Sequence, residues 1–348
     1  MTDETIDVRP DERFDEAKLA DYLRDKLEGA DQPMTVRQFP GGAANLTYLL
    51  RFGAQEYVLR RPPLGPVAPK SHDMAREYKV LAVLHQKFSA APRAYHFCED
   101  SEVIGAPFLI MERHRGTVVR REMPDQFAEV PDAARQMSEA LIDKLAELHA
   151  VDFDAIGLRD LGRPLGFVER QIEGWYERWE KAKVKEVPAF EEVYTWLKNN
   201  RPPENPPSLL HNDYKLDNVM FREPSKLVAI FDWDMCTLGD PLVDVGTLLA
   251  YWTEKEDPPY YQGLLGMPSP RYGFMTRREL VERYAEKSGR SLKHIKFYHV
   301  LALWRVVVIV AQIYVRYHRG QTQDERFAML GELVPIIAQS AYELAVND

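Results

Sequence analysis

Cysteine is almost absent: the 348 residues hold two, Cys98 and Cys236, far apart in the chain. Two distant cysteines can build neither a disulfide framework nor a cysteine-rich metal site, and they point to a reducing cytoplasm. Positive charge is also in short supply. Lysine and arginine number 45 against 54 aspartates and glutamates, a net charge of −9, which argues against a nucleic-acid partner. The first residues, MTDETIDVRPDERF, are acidic and polar, so no signal peptide is read there. Long apolar runs are wanting too. The most apolar, Val300 to Val315, has 16 residues and carries Arg305 and Gln312, whereas a membrane span takes about 20 predominantly apolar residues. It reads as a buried helix and not a membrane segment. Arg305 is expected in an internal ion pair, because an unpaired buried charge is costly. What the chain does have is ordinary for a globular protein, with 45% hydrophobic and 28% charged residues.

The first third alternates short β-like pieces with helical ones. Residues 14–28 place Phe14, Leu19, Tyr22, Leu23 and Leu27 at helical spacing. Val36 to Phe39, Thr47 to Phe52 and Tyr57 to Arg60 read as three strands joined by tight turns, with a glycine pair in the first. Residues 72–88 return to a helical period, and Pro107 to Glu112 reads as another strand. Beyond that the chain is mostly helical. Residues 132–152 set Met137, Leu141, Leu145 and Leu148 along one face, and 167–199 hold one or two helices. Two strand-like pieces, Ser208 to His211 and Leu227 to Phe231, interrupt this pattern. The order fits an α+β protein of two lobes. Residues 1–112 form a small β-rich lobe and 113–348 a larger, mostly helical one.

The chemistry concentrates in LLHNDYKLDNVMFREPSKLVAIFDWDMCTLGDPLVDVG, from Leu209 on. His211, Asp213 and Asn218 follow the spacing H-x-D-x-x-x-x-N, and Asp232 comes fourteen residues after Asn218, directly after an apolar run. An Asp in a loop between strands can accept a proton from an attacking hydroxyl. An Asn five residues on, and an Asp at the next strand's end, can offer oxygens to Mg²⁺, a hard cation. Phosphoryl transfer needs such parts because it depends mainly on positioning and charge stabilisation. Each motif alone is a weak signal; both in order, with a glycine-rich hairpin upstream, make a strong one.

HNDYKLDN, FDWDMCTLGDP and PGGAANLTYLLR resemble the aminoglycoside phosphotransferase family, which includes choline kinase-like members and shares the protein-kinase-like fold. LRRPP, HDMAREYKVL, IGAPFLIMER and DPLVDVG are similar to the branch related to the kinase-like domains of acyl-CoA dehydrogenase family members 10 and 11. The resemblance spans residues 36 to about 318 and implies a bilobal α+β kinase fold. It implies Asp213 as catalytic base, Lys215 as a phosphate contact, and Asn218 and Asp232 as magnesium ligands, with His211 structural. Gly41, Gly42 and Asn45 correspond to the nucleotide loop, where the absence of Cβ atoms lets backbone approach phosphates. Arg60 stands where the family usually has lysine, with Glu77 as its ion-pair partner; arginine is a fixed fork and no equivalent of lysine. Met111 would back the adenine pocket, with the backbone of Glu112 and His114 reading the base edge. Asn212 replaces the family's glycine between His and Asp, and tolerates left-handed backbone better than most residues. Asp240 and Asp244 are expected in structural roles around the loops, while Asp234 is left open between substrate and second metal.

The resemblance implies ATP, with GTP as alternative, plus Mg²⁺ and a small-molecule hydroxyl acceptor. A hydroxyacyl-CoA-like metabolite is favoured, with an aminoglycoside-like compound as the other acceptor class. Partners implied are a second copy of the chain and a functional link to an acyl-CoA dehydrogenase. Tyr251, Trp252, Tyr260, Tyr261 and Tyr272 are candidates to line the acceptor pocket, against an equal reading as packing. A dense acidic cluster suited to an aminoglycoside is not evident beyond Asp234 and residues 254–257. The alternative function is a catalytically weak nucleotide-binding regulator. A protein kinase is disfavoured because no activation segment follows Asp232.

Overall fold

The computed structural model describes residues 4–40, 45–63, 73–259, 261–262, 271–322 and 324–347. Gly41, Gly42 and Tyr260 lie outside the described residues. The chain divides into two compact units, one of Met1–Gly116 with Val228–Cys236, the other of Thr117–Leu227 with Thr237–Asp348.

In unit one, helix α1 (Glu16–Leu23) is capped by the Asp15 side chain, which accepts from Lys18 N. It precedes strands β1 (Met34–Gln38), β2 (Leu46–Phe52) and β3 (Gln55–Arg61). Helix α2 (Met74–Leu84) and strands β4 (Ala94–Cys98) and β5 (Phe108–Glu112) follow. The strands form one antiparallel sheet in the order β1-β2-β3-β5-β4. β2 and β3 are joined by a two-residue loop, since Phe52 pairs with Gln55. Gly53 takes φ 55° there, the left-handed backbone that such loops require and glycine adopts at no steric cost. β3 is buried from Tyr57 to Arg61, as expected of a central strand. In α2, Asp73 caps Arg76 N, and Met74, Glu77, Val80, Leu81 and Leu84 make the buried face at helical spacing. Residues 228–236 are tied into this unit by three contacts. Ile230 N donates to the Ala90 carbonyl at 2.7 Å, Arg76 Nε to the Cys236 carbonyl at 2.7 Å, and the Trp233 ring meets Phe88 edge-on at 6.3 Å.

Unit two is mainly helical. Its helices are α3 (Asp125–Ala128), α4 (Ala133–His149), α5 (Phe167–Ala182), α6 (Pro188–Asn199) and α7 (Leu242–Tyr251). They continue with α8 (Arg277–Ser288), α9 (Ile295–His318) and α10 (Leu330–Val346). Strand β6 (Ser208–Leu210) precedes β7 (Val219–Glu223), and β9 (Thr237–Gly239) pairs antiparallel with β6; β8 (Lys226–Ile230) starts in this unit and its residues from Val228 on belong to unit one. The apolar run of the sequence forms α9, and 72% of its most apolar window is buried among α5, α6, α7 and α10. A ring stack joins α5, α6 and α9: Phe190 lies 4.1 Å from Trp179 and 4.8 Å from Trp304, centroid to centroid. Strands β4, β7 and β9, absent from the sequence reading, are three to five residues long, too short for a periodic signal.

Candidate functional site

Two clusters of expected site residues form, one in each unit. In unit one, Arg60 on β3 meets Glu77 from the first turn of α2, with Nη1 to Oε1 at 2.6 Å. Its Nη2 donates to Asp232 Oδ1. Glu77 is 1% exposed and Arg60 8%. Burial raises the Glu77 carboxyl to about 7 against the opposing charge of Arg60. Burial would lower Arg60, but the charges of Glu77 and Asp232 outweigh it and the net shift is upward. Asp232 holds φ 70°, left-handed backbone that is uncommon outside glycine and concentrated where function imposes it. Asn45 is buried at the entry to β2, and Met111 is buried on β5 opposite Val58. The Glu112 amide is committed to the Arg93 carbonyl at 2.8 Å. The Glu112 carboxyl, 3.4 Å from the His114 ring, is held below its ordinary range chiefly by that ring.

In unit two, the loop after β6 presents Asp213 with its side chain 22% exposed. Lys215 Nζ lies 2.7 and 2.8 Å from the two carboxylate oxygens. Asn218 Nδ2 donates to the Asp213 carbonyl at 2.9 Å and to Oδ2 at 2.8 Å. Burial alone would lower the Lys215 pKa; Asp213 and Tyr251 outweigh it and hold the ammonium charged. The Lys215 ammonium stands 4.8 Å over the Tyr251 ring.

What fixes this loop is Asp244, wholly buried in the first turn of α7. Its Oδ2 accepts from His211 N and its Oδ1 from Asn212 N, both at 2.7 Å. His149 Nε2 lies 3.2 Å from Oδ2, and its Nδ1 bonds the Tyr284 hydroxyl at 2.7 Å. Burial would raise the Asp244 carboxyl, but His149 and the His211 amide more than reverse this. Asn212 holds φ 66°, the backbone that a glycine would supply without cost. His211 is buried, and its Nδ1 lies 3.3 Å from Asp213 N, an arrangement that shapes the loop. Asp240 binds Asn205 N at 2.9 Å, Leu242 N at 3.0 Å and the Tyr298 hydroxyl at 2.7 Å. Both aspartates are thus bound to surrounding backbone.

Three sequence expectations change. Arg305 is buried, yet no carboxylate pairs with it among the described residues; its Nη2 instead lies 3.5 Å from the Asn212 carbonyl, and its guanidinium lies over Trp175. Of the described aromatics, the buried Trp252 donates to the Met275 carbonyl and the buried Tyr261 to the Ala250 carbonyl, the exposed Tyr272 donates to Glu122, and Tyr251 stands at Lys215. Glu254 and Asp257 are engaged by Arg277 at 3.1 and 2.5 Å, which removes the acidic pair from service to a cationic ligand. Trp175 and Arg178 on α5 carry no motif, and the sequence reading passed over them; the lone charge in an apolar run, Arg305, was the only pointer to that place.

Among the described residues, no three His, Cys, Asp or Glu side chains cluster as a metal cage. Asn218 and Asp232 are nonetheless the hard oxygen donors that Mg²⁺ takes. With the Asn218 amide nitrogen given to Asp213, its carbonyl oxygen is the atom left for a cation.

The fold is that of the protein-kinase-like phosphotransferases, α+β with a five-stranded sheet and a helical unit. The chain belongs to the APH phosphotransferase enzyme family, whose sequence profile matches residues 35–279. Acyl-CoA dehydrogenase family member 11 of Gallus gallus is 32% identical over 98% of this chain, which spans 45% of that protein's length. A candidate aminoglycoside phosphotransferase from Ralstonia eutropha superposes with TM-score 0.80 at 29% identity, over 96% of this chain and 98% of that one. Aminoglycoside phosphotransferase APH(4)-Ia, solved with AMP-PNP and hygromycin B, shares the fold with TM-score 0.61 at 15% identity, over 95% and 99% of the two chains.

Proposed function

We propose that the chain is an ATP-dependent, Mg²⁺-dependent kinase of a small-molecule hydroxyl. The observation that carries this reading is the part-exposed Asp213 carboxylate, bracketed by Lys215 and Asn218 on a loop whose backbone Asp244 pins. In the reaction, the bond from the γ-phosphorus to its bridging oxygen in ATP breaks and one to the acceptor oxygen forms. Asp213 orients the acceptor hydroxyl and takes its proton. Lys215, already on both Asp213 oxygens, holds that carboxylate in place and supplies positive charge toward the phosphoryl group. Arg60, fixed by Glu77, meets the α- and β-phosphates, and Gly41, Gly42 and Asn45 are the further candidates for phosphate contact. Met111 backs the adenine, and the backbone of Glu112 and His114 reads its edge. Asn218 and Asp232 would hold Mg²⁺, which when bound neutralises phosphate charge.

With Glu254 and Asp257 taken by Arg277, a hydroxylated metabolite such as a hydroxyacyl thioester is favoured over a cationic aminoglycoside. The likeness to an acyl-CoA dehydrogenase family member supports a working link to such a dehydrogenase. The test is Mg²⁺-dependent ADP release, with ATP and then GTP, over hydroxyacyl-CoAs, aminoglycosides, choline-like alcohols and sugars. Turnover with one class, reduced about 10²- to 10⁴-fold in Asp213→Ala, is expected. Tight ATP binding with no acceptor-stimulated release would instead assign the chain as a nucleotide-binding regulator.

A further inference from the structure

Arg305 lies midway along α9, flanked by Trp304 and Val306 in the apolar run. The residue is 4% exposed, and among the described residues its Nε and Nη1 are buried without a hydrogen-bond partner. Its one protein acceptor among the described residues, the Asn212 carbonyl at 3.5 Å, is at the outer limit of hydrogen-bond geometry. The guanidinium lies 5.1 Å from the Trp175 ring centroid, and Arg178 lies 4.4 Å from the same centroid. Lys215 stands one loop away over Tyr251. The acids that act on Arg305, Asp244 and Asp213, are occupied elsewhere: Asp244 by two backbone amides and His149, Asp213 by Lys215 and Asn218. Positive charge therefore exceeds what the surrounding side chains answer.

A desolvated guanidinium with donors unmet is costly, and an anion relieves both the charge and the donors. Nothing in the packing requires the charge. Stacking on Trp175 needs only a flat apolar or amide group, and the Asn212 carbonyl needs one donor. A residue chosen for packing would carry neither the charge nor the extra donors. We propose that Arg305, with Arg178 beside the same tryptophan ring, binds an anionic oxygen group, a carboxylate or a phosphate, carried by the phosphate acceptor. Its place next to Asn212 puts that group one residue from Asp213, so the acceptor bears its negative charge near the hydroxyl it presents. This narrows the hydroxylated metabolite proposed above to hydroxy acids and phosphorylated alcohols, in place of a hydroxyacyl thioester, whose acyl part carries no anionic oxygen, and it rejects cationic alcohols. The acceptor assignment rests on the kinase reading above; the anion site itself does not.

The experiment holds the full chain at saturating Mg²⁺ and AMP-PNP, so that phosphate cannot enter the nucleotide position, and follows tryptophan fluorescence, in which Trp175 reports. Inorganic phosphate and 3-hydroxybutyrate are titrated separately, which distinguishes the two anion sources, with choline as the cationic control. Saturable binding of at least one anion is expected, weakened about tenfold or more in Arg305→Gln, as loss of a charge-assisted hydrogen bond implies. Arg305→Lys keeps the charge and is expected to fall between. Absence of saturable anion binding across the millimolar range overturns the site. So does equal affinity in Arg305→Gln with a lowered melting temperature, the signature of a mere prop for the Asn212 carbonyl. Should Arg305→Gln not fold, Arg305→Lys and Arg178→Gln carry the comparison. If anion binding depends on Arg305 but Asp213→Ala shows no loss of any ADP release, the site stands and its assignment to an acceptor falls. With an anionic acceptor in turnover, Arg305→Gln raises KM far more than it lowers kcat, as loss of binding common to ground and transition states requires.

Discussion

Arg60 gathers two carboxylates, Glu77 from α2 and Asp232 from the segment after β8. The Glu77 pairing was legible in the sequence, because the family resemblance aligned both residues; the Asp232 contact, 172 positions away, was not. Arg60→Ala leaves Glu77 buried with no cation, and is expected to destabilise the chain by roughly 3–5 kcal/mol in urea unfolding. A change below about 1 kcal/mol would place the pair among those that contribute little. Asn212 was read as tolerant of left-handed backbone, and it occupies that region at φ 66°. His299, on α9, gave no sequence signal. Burial, with the nearby charge of Arg277, lowers its pKa to about 3 from an ordinary value near 6.5. Between those values the unfolded chain binds the proton and the folded chain does not, so stability is present above about pH 6.5 and is lost as pH falls toward 3. The residue is half-buried with its Nε2 enclosed, and the slope between the two values is bounded by the one-proton limit of about 1.4 kcal/mol per pH unit. Urea midpoints at pH 7 and pH 5 should converge in His299→Gln and diverge in the wild type.

At the scale of elements, α7 does two things at once. Its first turn carries Asp244, whose carboxylate takes the amides of the Asp213 loop. Its middle passes so close to α9 that a Cβ on Gly246 would sit 2.3 Å from the Tyr298 carbonyl oxygen. That obstacle is backbone and cannot swing aside. Gly246→Ala would gain about 0.5–1 kcal/mol of helix propensity and lose about 1–3 kcal/mol to overpacking. Net destabilisation with a lowered urea midpoint is expected, and a stabilised variant would refute the close approach. The sequence placed the long helices well: residues 132–152 hold α4, and 167–199 hold α5 and α6. An apolar stripe at helical spacing is a local signal. β6 was read from the sequence as Ser208 to His211, whereas β9, three residues long, owes its existence to β6 some thirty residues distant, which no local pattern encodes.

At the scale of the molecule, a ligand that binds only the folded chain adds stability by mass action. Mg²⁺ with ATP at about 100 times its Kd should add about 2.7 kcal/mol to urea unfolding; no shift at any concentration would refute nucleotide binding. The sequence by itself determined the order of β-rich and helical segments, the family, and the set of residues suited to phosphoryl transfer. The order follows from periodicity and turn chemistry, which are read within a few residues; the family, and the residues proposed for phosphoryl transfer, follow from the resemblance of the motifs to known ones. Only tertiary structure decided that residues 228–236 join the β-rich unit, through Ile230, Trp233 and Arg76. It alone decided that Glu254 and Asp257 serve Arg277, and that Arg305 faces Trp175 and the Asn212 carbonyl without a carboxylate. Whether a buried charge is answered depends on which distant side chains packing brings within a few ångströms, because Coulomb and hydrogen-bond energies fall with separation in space and not along the chain.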